Sequence, residues 1–203
     1  MPSRRHFLKS AAVISASPLA GRIVFADGAE PAALDALVVD TRHHDARAFA
    51  LRAARWSAPV REIGGDITEL WQRELRVRWQ GGAAAVAVAG LTERPALFLL
   101  ERLAWDYGLR VVFEAEHETA GEGSAAHRVV RSARADLKGR LEAAGPMWAA
   151  VLADSLLAGA SGLASRDFRP TEAAMASSLD EPTRLHSWII APRPAAWRAK
   201  KES

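Results

Sequence analysis

The feature that most constrains this chain is an alternation of short apolar runs with segments of helical spacing between residues 34 and 113. The runs are apolar or β-branched and end in turn residues, as buried strands do. Predicted strands cover 34–39, 59–63, 83–89 and 109–113, and predicted helices cover 45–56, 66–78 and 96–107. Because parallel strands need a crossover connection, which a helix supplies, this order predicts a mainly parallel sheet with helices packed on it.

The order of the elements changes in the second half of the chain. The predicted elements there are a hairpin of 111–117 and 127–130 around the loop 118–124, helices at 133–144 and 147–158, a loop at 159–182 and a strand at 185–191. The hairpin adds an antiparallel strand to the sheet. We therefore expect one three-layer α/β domain over residues 34–192, with flavodoxin- or Rossmann-like strand-helix units and C-terminal helices.

The N-terminus carries a sequence of a different kind. Residues 3–9 read SRRHFLK, and a mildly apolar segment leads from there to VFA at 24–26. The first motif resembles the twin-arginine (Tat) translocation signal, and the second fits the small-x-small site of signal peptidase. The resemblance covers residues 1–26 only. It implies export to the periplasm in a folded state, with the Tat translocase and signal peptidase as partners, and cleavage after Ala26.

Charge and composition exclude several classes of protein. Residues 1–26 hold four of the 27 basic residues and no acidic one, so the remainder has 23 basic against 24 acidic residues and a net charge of about −1. The basic pI therefore reflects the signal and argues against a nucleic-acid partner. The chain has no cysteine, which excludes disulfides and cysteine-ligated cofactors. No apolar stretch is long enough to form a stable membrane span. Residues 27–33 are predicted to be a linker, and 193–203 a solvated basic tail.

Catalytic and nucleotide-binding motifs are missing. The glycine-containing sequence at 121–124 lacks the third glycine and the strand-to-helix placement of a dinucleotide fingerprint, and no phosphate-loop or nucleophile-elbow motif occurs. This favours a non-catalytic function, as a periplasmic binding or accessory protein. One form of that hypothesis is support of a cofactor-bearing enzyme exported by the same route, with a second periplasmic protein as partner.

Candidate site residues follow from the predicted sheet. Ligands of open parallel sheets bind beyond the carboxyl ends of the strands, where loops and helix N-termini meet. The candidates for acid-base or metal chemistry are Asp40, His43, Asp66, Glu116 and His117, and those for ligand binding are Thr41, Arg42, Gly64, Gly65, Gly90 and Thr92. The alternative function is therefore a periplasmic enzyme, acid-base or metal-dependent, with its site at this edge.

Each of these candidates also has a structural interpretation. Asp66 with Glu69 forms a capping-box pattern, and Asp40 is suited to hold the following loop through backbone N–H groups. His43 precedes another histidine, and adjacent side chains diverge, so they are not expected to bind one ion together. His117 and His127 are expected to pair across the hairpin without metal. No metal site is assigned from the sequence.

Overall fold

A computed structural model describes residues 22–23, 32–81, 86–119, 125–131, 136–157 and 183–192. The strands are β1 Arg22–Ile23, β2 Ala32–Asp40, β3 Val60–Ile63, β4 Val86–Glu93, β5 Leu109–Thr119, β6 Ala125–Arg131 and β7 Thr183–Pro192. The helices are α1 His44–Ala54, α2 Thr68–Leu70, α3 Arg76–Gln80, α4 Arg94–Trp105, α5 Leu137–Ala144 and α6 Trp148–Leu157. The predicted signal apart from residues 22–23, most of the linker, the loops at 120–124 and 159–182 and the basic tail lie outside the described residues.

The strands form one mixed sheet in the order β1-β2-β4-β7-β5-β6, and β3 also pairs with β2. β1 contacts the start of β2 and β3 contacts its end. The β2–β3 and β2–β4 pairs are parallel, whereas the other four pairs are antiparallel. The fold is therefore α/β, but the expected mainly parallel sheet is not confirmed.

The position of β7 explains this difference. It lies between β4 and β5 and runs antiparallel to both, so the two strands that the sequence predicts as parallel neighbours are not paired with each other. β7 is covered on both faces, because every residue from Leu185 to Ala191 is buried. A strand of that kind is most stable in the centre of a sheet. Nothing local in the sequence indicates which two strands it separates.

Two apolar cores lie on opposite faces of the sheet. One contains side chains of α1, α5 and α6, including Phe49 and Trp148, packed on Leu37 and Ile189. The other contains side chains of α2, α3 and α4. Neighbouring residues of β2 alternate between the two cores, as the pleat of a strand requires. Among the described helices, none has the length and hydropathy needed to cross a bilayer.

Several helix and strand ends differ from the predicted ones. α1 begins at His44 with His43 as its N-cap residue, and the His43 side chain makes no capping hydrogen bond. Asp66 accepts the Thr68 N–H at 2.8 Å, but Glu69 pairs with Arg73 and does not complete a capping box. The predicted helix 66–78 is interrupted by a π-helical turn, Trp71–Leu75, between α2 and α3.

Gly90 lies inside β4, although the predicted strand ends at residue 89. A Cβ at this position would lie 2.5 Å from both the Trp188 ring and the Val38 carbonyl oxygen. Only glycine allows the indole to cross the strand this closely. The Trp188 Nε1–H donates to Thr92 Oγ1 at 3.1 Å, so Gly90 and Thr92 together seat the largest buried side chain of β7.

Candidate functional site

The carboxyl ends of several strands meet at one edge of the sheet. β2, β3, β4 and β5 run in the same direction, since β4 and β5 are both antiparallel to β7. The edge therefore collects Asp40 and the residues after it, Glu93 at the end of β4, and the second half of β5. Four features lie there or on the adjacent faces of the sheet: an ion-paired clamp, a pocket, a cluster of glutamates with a histidine, and a buried histidine pair.

The acid–arginine clamp consists of Asp40, Arg42 and Glu93. Arg42 donates from Nε and Nη2 to the two Asp40 carboxylate oxygens, at 2.9 and 2.6 Å, and from Nη2 to Glu93 Oε2 at 2.7 Å. These hydrogen bonds, first that to Asp40 and then that to Glu93, raise the pKa of Arg42 above its usual range. Asp40 has no exposed surface, so Arg42 supplies the charge that compensates a buried carboxylate.

His43 completes a set of metal-type donors around the clamp. Its Nε2 lies 3.4 Å from Glu93 Oε1 and 3.7 Å from Asp40 Oδ2, and it is buried without a hydrogen-bond partner. The donor atoms of these three residues lie within 4.8 Å of one another. The Arg42 guanidinium, however, already bonds both carboxylates, so it takes the position of a cation. We interpret the clamp as structural.

A pocket of about 320 Å³ opens between α1 and β3. Apolar side chains form most of the wall, and polar groups lie at three positions. The lining residues are Thr41, Arg47, Ala50, Leu51, Ala54, Val60 and Glu62. Arg47 is fixed because its Nη1 donates to the carbonyl oxygens of Thr41 and Arg42, at 2.6 and 3.3 Å. This α1–β3 pocket therefore combines an apolar wall with an oriented guanidinium.

The Glu–His cluster, Glu114, Glu116 and His186, lies on the α4 face of the sheet. Glu116 and His186 are direct partners in the β5–β7 ladder, and Glu114 is two residues before Glu116 on the same face. His186 lies 3.4 Å from Glu114 Oε1, and this neighbour is the main reason why the pKa of Glu114 is lowered, against the opposing effect of burial. That distance is longer than an aligned hydrogen bond, and His186 Nδ1 is buried without a hydrogen-bond partner.

The buried histidine pair lies on the opposite face of β5. His117 Nδ1 is 2.8 Å from His127 Nδ1, and His117 Nε2 is 2.7 Å from Ser187 Oγ. The Trp148 ring stacks on His117 with 4.5 Å between ring centroids. Burial, followed by the charges of His127 and His186, lowers the pKa of His117 well below its usual range. Burial also lowers the pKa of His127.

The chemistry of this pair follows from the hydrogen bonds. The short contact between the two Nδ1 atoms requires one neutral ring to donate and the other to accept. Ser187 and His117 have no exposed surface, so this serine-histidine-histidine chain has no path to a substrate. It is a polar network whose hydrogen bonds are satisfied, inside the core formed by α1, α5 and α6.

The remaining predicted residues are spread over the same region. Gly65 has a φ of +87°, and a Cβ there would lie 2.4 Å from the Arg42 guanidinium carbon, so this glycine makes room for the clamp. Gly64 has no atom near its Cβ position, and Asp66 lies in a second, polar pocket on the far side of β3. Glu116 and His117 point to opposite faces of β5 and do not act together.

Sequence reasoning missed Glu93, Arg47 and His186. Glu93 lies between the predicted strand 83–89 and the predicted helix 96–107, and Arg47 is one of several arginines in a helix. His186 faces Glu114 and Glu116 only because β7 pairs with β5. A histidine inside an otherwise apolar strand, next to Ser187, is the one local signal that could have been used.

Comparison of the chain with protein-family models, with characterised proteins and with solved structures finds no match. The function is therefore argued from the geometry of the four features.

Proposed function

We propose that this chain is a periplasmic binding protein, exported by the twin-arginine route, that holds a small molecule with an apolar body and an acidic group in the α1–β3 pocket. The observation that carries the proposal is a pocket of about 320 Å³ whose apolar wall meets the fixed Arg47. Binding sites for small molecules have this composition, with volumes of roughly 300–1,000 Å³. An accessory role beside a co-exported enzyme remains within the same proposal, with the ligand as cargo or signal.

The contacts of Arg47 support an acidic ligand. Nη1 is used by the Thr41 and Arg42 carbonyl oxygens, which orient the guanidinium at the carboxyl edge. Among the described hydrogen bonds none uses Nε or Nη2 of Arg47, so these N–H groups are available to a carboxylate or sulfonate. Val60 and Leu51 lie on opposite walls and would enclose the apolar body.

A binding titration tests the pocket. We would titrate the full chain with anilinonaphthalene sulfonate, an apolar ring system with one anionic group, and follow its fluorescence. Arg47→Gln should weaken binding roughly tenfold, the worth of one charge-assisted hydrogen bond. Arg73→Gln removes the same charge from an exposed ion pair on the π-helical turn and should leave binding unchanged.

Two variants that add the same bulky side chain test whether the ligand binds in the pocket itself, without any change of charge. Ala54→Phe should fill the pocket and abolish binding. Ala143→Phe places the same ring at an exposed site on α5, outside the pocket, and is the matched control. Equal affinities of the two variants would contradict the proposal.

Export is tested separately, by fractionation of cells that produce the full chain. Replacement of Arg4 and Arg5 by Lys should retain the chain in the cytoplasm, and N-terminal sequencing of periplasmic protein should begin at Asp27. Such processing would remove β1 together with Ile23, which is fully buried in the core formed by α1, α5 and α6. An exported chain that still begins before Arg22 would contradict cleavage after Ala26.

The buried Nε2 of His43, which has no hydrogen-bond partner, favours a second candidate, an acid-base enzyme acting at the same edge. His43 between two carboxylates is the arrangement of an oriented proton carrier. This candidate requires turnover of a substrate that is lost in His43→Gln while the thermal unfolding of the chain is unchanged. A chain that binds ligand but gives no turnover supports the binding protein.

A further inference from the structure

We propose that the Glu–His cluster is a binding site for a divalent transition-metal ion of the Mn²⁺ to Zn²⁺ series, separate from the α1–β3 pocket. The donor atoms of Glu114, Glu116 and His186 lie within 4.8 Å of one another. An ion among them would have two carboxylate oxygens and one imidazole nitrogen as ligands, with further positions for water. Carboxylates alone would suit Mg²⁺ or Ca²⁺, and the imidazole shifts the preference to the transition metals.

His186 is the observation that separates this cluster from an ordinary group of acidic residues. Its side chain is only 4% exposed, and its Nδ1 is buried without a hydrogen-bond partner. A buried polar atom without a partner destabilises a fold, and few are found in native proteins. Because Nδ1 faces the Glu114 carboxylate, a bound metal ion would satisfy both groups at once.

The arrangement of the strands makes the site rigid. All three ligands come from the paired strands β5 and β7 and not from loops. The side chains of Glu114 and Glu116 are 12% and 20% exposed, so an ion could still enter from solvent. Rigid strands position metal ligands more accurately than loops do.

Two arginines occupy the outer side of the cluster without closing it. Arg94 donates to Glu114 Oε1 at 2.8 Å, and Arg128 donates to Glu116 Oε2 at 2.5 Å. Among the described residues no donor reaches Glu114 Oε2 or Glu116 Oε1. Both arginine side chains are about half exposed or more, at 47% and 70%, so they can turn to solvent when an ion enters. This differs from the acid–arginine clamp, where the guanidinium bonds both carboxylates and is held against Gly65.

Because arginine and metal would compete for the same carboxylates, loss of an arginine should raise the affinity for metal, whereas loss of a carboxylate should lower it. We would strip the full chain with chelator and titrate it with Zn²⁺ and, separately, Mn²⁺ by calorimetry, and count bound metal by elemental analysis. One ion per chain is expected. Glu116→Gln should weaken binding at least tenfold, and Arg128→Gln should strengthen it severalfold because a competing positive charge is lost. A merely structural ion pair gives no metal affinity for Arg128→Gln to raise.

Controls keep the outcome decisive. His186→Asn removes the nitrogen ligand, and since it is buried, its fold is checked by circular dichroism before titration. His43→Gln changes the histidine beside the acid–arginine clamp and should leave the affinity for metal unchanged. Absence of a stoichiometric ion, or a loss of affinity in His43→Gln equal to that in Glu116→Gln, overturns the proposal. Since the anilinonaphthalene sulfonate titration does not involve these residues, failure of this site leaves the proposed ligand pocket untouched.

Discussion

Lowering the pH should destabilise this protein through the buried pair His117 and His127. The pKa of each ring is lowered in the fold, chiefly by burial, so both stay neutral where an unfolded histidine takes up a proton. The unfolded chain therefore binds more protons than the folded chain below a pH of about 6.5, and stability falls as the pH falls. Lys138 opposes protonation of His127 while Glu142 favours it, and the nearby His186 opposes protonation of His117.

The size of the effect follows from linkage. For an ordinary pKa of about 6.5, one histidine that remains neutral in the fold costs about 1.4 kcal/mol of stability between about pH 7.5 and 5.5. The pair therefore costs at most about 2.7 kcal/mol over this range, a large share of a typical domain stability. Urea unfolding at a series of pH values, followed by circular dichroism, measures this change directly.

A matched pair of variants assigns the change to the buried histidines. His127→Asn keeps a hydrogen-bonding group near the position of Nδ1 but cannot titrate, so the loss of stability on acidification should fall by about half. Val130→Asn places the same amide at an exposed position of β6, changes no titrating group and should leave the pH dependence as it is. If His127→Asn and the unsubstituted chain lose the same stability between the two pH values, the reasoning from burial is wrong.

Further changes in stability are expected at positions with clear geometry. Gly90→Ala should destabilise the fold by about 1–3 kcal/mol, because its Cβ would overlap the Trp188 ring. Gly139→Ala, in the exposed part of α5 with free space around its Cβ, should instead stabilise the fold by up to about 1 kcal/mol, and thermal unfolding compares the two. Arg42→Leu should cost about 3–5 kcal/mol in urea unfolding, since it leaves Asp40 as a fully buried carboxylate without its compensating charge. Asp40→Asn should cost less, because Arg42 is half exposed and can turn to water; an equal or greater cost for Asp40→Asn would contradict this account.

Much of the local structure could be predicted from the sequence. The strands at β2 and β3, the helices α1 and α4, and the hairpin of β5 and β6 lie close to their predicted positions. Gly108 follows α4 with a φ of +73°, as expected for a glycine that ends a helix. The sequence also predicts which residues lie at the carboxyl edge of the sheet after β2, namely Asp40, Thr41, Arg42 and His43. This prediction requires only that β2 is followed by a helix.

Other parts of the site could not be predicted, because they depend on long-range pairing. The contact of His117 with His127 was expected from the hairpin, but its bond to Ser187 required β7 to lie beside β5. The same pairing brings His186 to Glu116 across a separation of 70 residues. The apolar pattern within one strand does not indicate which other strand it pairs with.

The sequence by itself determined which segments become strands and helices, because apolar period and turn residues act within a few neighbouring positions. It also determined the residue types available at the end of each strand. Only the tertiary structure decided the order of the strands, since several arrangements bury the same apolar faces and the free energy of the whole core selects among them. The insertion of β7 between β4 and β5 made the sheet mostly antiparallel and created both the Glu–His cluster and the buried histidine network.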